Sequence, residues 1–99
     1  MTETSINYAK ALYELSVPEE SVLETEKIFR STPQLKGALE NPLVSLKEKE
    51  HVIDRVFPQE MKNFLKVTCK YQKISSIYDI LEAYGNYSRK QKGILKAVL

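Results

Sequence analysis

The chain has 99 residues, 42% of them hydrophobic and 28% charged, which fits one compact domain and, being too short to divide, is expected to form a single core. A net charge of +2, spread over interspersed lysines and acids, falls short of the one-sided excess of a dedicated nucleic-acid binder. No apolar run approaches the ~18 to 20 residues of a membrane span, and a single cysteine, Cys69, excludes an internal disulfide and the paired thiols of a zinc site.

The first predicted helix covers about residues 5–16. Asn7, Lys10 and Glu14 form a narrow polar stripe, and Ile6, Tyr8, Ala9, Ala11, Leu12, Tyr13 and Leu15 fill the rest of the wheel. An apolar arc wider than half a turn exceeds what one core contact needs, so this helix is expected at the centre or against a second apolar partner. The same segment lacks the basic, apolar and small-residue regions of a signal peptide, and its acids argue against a transit peptide; a reducing, bacterial-type cytosolic setting is expected. Pro18 breaks the chain, and a second helix starting near Glu19 carries a weaker apolar face of Val22, Ile28 and Phe29. Pro33 suits the first position of a short third helix over 34–40, whose Leu35, Ala38 and Leu39 share a face before Asn41 and Pro42 end it.

Ser45, with Glu48 three residues on, reads as a capping box opening a fourth helix with Leu46, Val52, Ile53, Val56 and Phe57 on its buried side. Pro58 closes it. The fifth helix, about 59–72, places Met61, Phe64, Leu65, Val67, Cys69 and Tyr71 on a second broad arc. Ser75 or Ser76 caps a sixth, in which Ile77, Ile80, Leu81, Tyr84 and Tyr87 repeat opposite Asp79, Glu82, Asn86 and Arg89. The three glycines and four prolines are read as lying at element edges. From Gly93 the tail turns apolar and strand-like and stops without a partner. The expected fold is all-α, a six-helix bundle with the first and fifth helices central, over residues 1–92; residues 93–99 are the start of a truncated carboxy-terminal domain or a linker.

No catalytic residue, cofactor site or metal site is expected. His51 falls on the polar side of the fourth helix with no nucleophile to serve, Cys69 shares an apolar arc, and the carboxylate pairs Glu19-Glu20 and Glu48, Glu50 favour helix starts. The glycines are too widely spaced to cradle a phosphate. Lys62, Lys66, Lys70 and Lys73 form a basic stripe that reads as the wet side of the fifth helix or as a track for a phosphate backbone. An apolar surplus remains: Tyr8, Ala11 and Leu15 border the first helix's polar stripe, and Val67 and Ile74 border the stripe holding Asn63 and Lys70. Were these edges to meet, they would form a lysine-flanked trough suited to an acidic amphipathic helix. The alternative is that the other four helices cover both arcs.

Tyr8-Ala9-Lys10-Ala11-Leu12-Tyr13 resembles the opening motif of the F-type ATP synthase delta subunit, the oligomycin-sensitivity-conferring protein family. Asn41-Pro42 with Ser45, then Lys49, Val52-Ile53, Val56-Phe57, Asn63 to Val67 and Gly93 to Val98 follow in the family's order across nearly the whole chain. The resemblance implies a six-helix amino-terminal domain of a non-catalytic stator subunit, peripheral on the cytoplasmic face of the cell membrane, that ties the catalytic head to the stalk. It also implies a groove for the amino-terminal helix of an alpha subunit, mapping onto Tyr8, Ala11, Leu15, Asn63, Val67 and Lys70. Contact with the stalk's b subunits would need the missing second domain. Neither nucleic acid nor membrane insertion enters this reading. The rival is an RNA-binding helical bundle of the antitermination-factor type, using the lysine stripe.

Overall fold

The computed structural model describes the backbone of residues 2–98 and the side chains of residues 2–92. Their regular structure is all helical: α1 (Glu3–Glu14), α2 (Glu19–Ser31), α3 (Pro33–Glu40), α4 (Leu46–Val56), α5 (Gln59–Lys70), a 3-10 turn (Ile74–Ser76) and α6 (Ile77–Val98). The all-α class and the count of six helices match the expectation. Pro18 and Pro58 are the N-caps of α2 and α5, and Pro33 opens α3, positions where the missing N–H costs nothing.

Two compact units emerge, residues 1–16 with 76–99, and residues 17–75. In the first, α1 packs along α6. Ser5, Ala9 and Leu12, spaced four and three apart, are buried on one side of α1, and α6 buries Ile77, Ile80, Leu81, Ala83, Tyr84 and Ser88. Tyr13 sits edge-on to Tyr87 at 5.1 Å between centroids and tilted to Tyr84 at 6.3 Å, within the favoured range for aromatic pairs. In the second unit α5 packs on α4 and on α2, which also meets α3. Its core holds Val22, Phe29, Leu39, Ile53, Phe57, Met61 and Leu65, with the Phe29 and Phe57 rings 5.0 Å apart.

Several expectations give way here. The broad arc of α5 is not all core, since Val67 and Tyr71 are 47% and 58% exposed while Thr68 is buried in their stead. Ile74, read as an edge residue of the fifth helix, is buried in the 3-10 turn. On α4 Leu46 and Val56 are exposed and Val52 half-buried, whereas Lys49 is buried. On α2 the buried face is Ser21, Val22, Thr25 and Phe29, with Ile28 only half-buried. Two of these polar positions, Thr25 and Thr68, escape a hydrophobic count because their hydroxyls are satisfied inside their own helix: Thr25 Oγ1 donates to the Ser21 carbonyl at 2.8 Å and Thr68 Oγ1 to the Phe64 carbonyl at 2.7 Å.

The glycines are not at edges. Gly37 lies within α3 and Gly85 within α6, and the chain turns left-handed instead at Ser16 and Gln72, both at φ 57°. At the end of α5 the Gln72 N–H reaches the Cys69 carbonyl at 3.0 Å and the Lys73 N–H reaches the Thr68 carbonyl at 2.8 Å, the two bonds of a Schellman cap. The strand-like reading of the tail also fails for residues 93–98, because α6 continues to Val98. One glycine costs a helix only about 1 kcal/mol, and the Leu, Lys and Ala beyond Gly93 are good helix formers. The side chains of that tail, and the whole of Leu99, lie outside the described residues.

Candidate partner-binding surfaces

Thr2 caps α1, its Oγ1 accepting from the Ser5 N–H at 3.1 Å, so the helix begins at Glu3 and not near residue 5 as expected. The register this sets turns Tyr8, Ala11 and Leu15 into one sector about 60° wide at ~100° per residue. That sector flanks the buried line of Ser5, Ala9 and Leu12. Ala11 is exposed, Leu15 is 58% exposed and Tyr8 is half-buried, so the strip is open to solvent. Leu15 is the C-cap but keeps right-handed helical angles, φ −70° and ψ −9°, and therefore stays on the same face. Asn7, Lys10 and Glu14 are exposed as their polar stripe requires.

On α5, Asn63, Val67 and Lys70 occupy a sector of similar width and all three are exposed. Tyr71, one helical turn beyond Val67, extends this face, and the Lys70 ammonium lies 5.8 Å from its ring centroid. The sequence reading missed Tyr71 by placing it in the core; its i, i+4 spacing from Val67 is the signal that could have found it. Each trio of expected residues is thus gathered on its own helix. The strip on α1 and the strip on α5 fall in different compact units.

The lysine stripe of α5 is largely committed within the fold. Lys66 pairs with Asp54 on α4 at 2.9 Å, and Lys62 donates to Gln59 Oε1 at 3.1 Å. The Lys66 hydrogen bond holds the Asp54 carboxyl below its ordinary value against the opposing effect of desolvation. Cys69 is buried, and its desolvation pushes the thiol up to about 11, with the nearby Lys49 charge lowering it and Glu50 raising it. A thiol held protonated at neutral pH is a poor nucleophile. His51 is exposed, and among the described residues no three His, Cys, Asp or Glu side chains converge as metal ligands. No helix of the described residues is long and apolar enough to cross a membrane.

The class these features define is an all-α protein that exposes Ala11 and Leu15 on one helix and Val67 on another. The family model for the ATP synthase delta (OSCP) subunit matches residues 5–99, and the chain belongs to that family. It is 32% identical over 103 aligned positions to the ATP synthase subunit delta of Clostridioides difficile, covering 92% of this chain and 57% of that protein. Subunit delta of Enterococcus hirae is 28% identical, covering 89% and 54%, and that of Protochlamydia amoebophila is 29% identical, covering 96% and 59%. The chain therefore spans a little over half the length of these curated relatives. No solved structure matches it significantly.

Proposed function

We propose that this chain is the alpha-gripping part of an ATP synthase stator subunit, a non-catalytic tie between the catalytic head and the peripheral stalk. The observation that carries the reading is the open apolar strip of Ala11, Leu15 and half-buried Tyr8 on α1, with its counterpart at Val67 on α5, in a chain of the delta family. Apolar area exposed in the free protein is what a visiting helix can bury, at roughly 25 cal/mol per Å² before association costs. Its occupant is the amino-terminal helix of an alpha subunit, gripped by Tyr8, Ala11, Leu15, Asn63, Val67 and Lys70. Residues 1–92 form the gripping domain. The complex serves proton- or sodium-driven ATP synthesis from the cytoplasmic face of the membrane, to which this chain is bound only peripherally.

Titration calorimetry with a peptide of the alpha amino-terminal helix tests this. Ala11→Asp sets a charge among apolar groups and is expected to weaken binding at least tenfold with far-ultraviolet helicity unchanged, and Val67→Asp tests the α5 strip separately. Raising the salt should weaken binding little, because apolar burial dominates. Affinity unchanged in both variants would remove the assignment. A steep salt dependence would point instead to the phosphate-tracking behaviour of an RNA binder.

A further inference from the structure

Lys49 is one of the motif positions that the gripping surface does not use, and its surroundings are unusual for a lysine. It is 8% exposed on α4, where the sequence pattern places a polar residue facing water. Among the described residues its ammonium makes no ion pair and no hydrogen bond, and no fully buried polar side-chain atom is without a partner. The ammonium therefore still touches solvent, and the residue lines a cleft of ≈ 280 Å³ within the unit of residues 17–75. The aliphatic stem of Lys49 is buried while its charged head reaches the solvent of the cleft, where no described side chain of opposite charge pairs with it.

The cleft gathers donors from separate elements. Gln72, held left-handed at the end of α5, and Ser75, in the 3-10 turn, share its wall with Lys49, while Pro42 of the Asn41-Pro42 turn closes another side. Leu39 and Ile74, 2% and 1% exposed, give it an apolar floor. Glu40 also stands on the wall, but its carboxylate is ion-paired with Lys36, which offsets its charge toward an incoming anion. At ≈ 280 Å³ the cleft lies at the small end of the ~300 to 1,000 Å³ range usual for drug-sized ligands and has room for a small polyatomic group.

We propose that this cleft binds a tetrahedral oxyanion of phosphate size, with the Lys49 ammonium as counter-charge and the Gln72 amide and Ser75 hydroxyl as further donors. An ammonium, a carboxamide N–H and a hydroxyl supply donors that a phosphate can meet with several acceptor oxygens at once, and a lysine serves phosphate as a point charge. A carboxylate has two oxygens to offer and should bind less well.

The test is a titration of the full 99-residue chain with inorganic phosphate, and in parallel with acetate, at fixed ionic strength, read from backbone amide resonances. The expected result is saturable shifts at Lys49, Gln72 and Ser75 with phosphate, weaker ones with acetate, and loss of saturation in Lys49→Met. Lys47→Met, which removes the same charge from an exposed position on the same helix, should bind as the parent does. Ser75→Ala keeps the question open to test if Lys49→Met folds poorly, and it should weaken phosphate several-fold. Shifts that never saturate, that match between Lys49→Met and Lys47→Met, that saturate with unchanged affinity in Ser75→Ala, or that acetate reproduces at equal concentration would each overturn the assignment.

Discussion

Cys69 shows how one residue's environment sets its chemistry. With 4% of its surface exposed, it is held as a neutral thiol, and its titration moves from 9.0 to about 11. The folded chain then binds the thiol proton more tightly than the unfolded chain does. Stability from this source is fully present below pH 9 and is lost as pH rises through about 11. Denaturant unfolding at a series of pH values is expected to show that decline, and Cys69→Ala should flatten the part of the slope owed to the thiol. An aromatic disulfide reagent should modify native Cys69 slowly and the unfolded chain fast. Asp54 runs the other way: its lowered value adds stability above the ordinary carboxyl range that fades in acid, and solvent screening of this half-exposed pair keeps the effect slight.

Helix ends and helix interiors make separate demands at the scale of the element. Ser45 Oγ accepts from the Glu48 N–H at 3.1 Å, but the return bond from the Glu48 side chain is not formed, so half of the expected capping box is present. Ser45→Ala should cost about 1 kcal/mol in equilibrium unfolding, the usual worth of an N-cap oxygen. In α3, a Cβ added at Gly37 would meet nothing within 4 Å, and the backbone there is ordinary helix. Gly37→Ala should therefore stabilise the chain by roughly 0.5–1 kcal/mol, mainly by restricting the unfolded state. A loss of stability would mean that α3 is not helical at that position.

For the whole molecule, the core of each compact unit carries the fold. Phe29, fully buried and 5.0 Å from Phe57, is the largest of the sealed side chains in the 17–75 unit. Phe29→Ala should cost roughly 3–5 kcal/mol, a large fraction of the stability of a domain this size. Each kilocalorie lost lowers the melting temperature by roughly 4–8 °C, which a thermal scan by circular dichroism measures directly. A drop of only a degree or two would mean that the aromatic pair is not packed as described.

The all-α class, the six helices, the proline-set starts of α2, α3 and α5 and the inner face of α6 could be read from the sequence, because periodicity and chain breakers are local properties. Tertiary structure alone decided how much of each apolar arc is covered. Ala11, Leu15, Val67 and Tyr71 share their wheels with core residues yet remain exposed, while Lys49, Thr25 and Thr68 are polar and buried. A helical wheel gives direction about one axis but not what stands opposite, so it cannot separate an apolar residue that meets a neighbour from one that meets water. Nor can it foresee that a threonine spends its hydroxyl on its own helix, or that a lysine lines a cleft built by other segments of the chain.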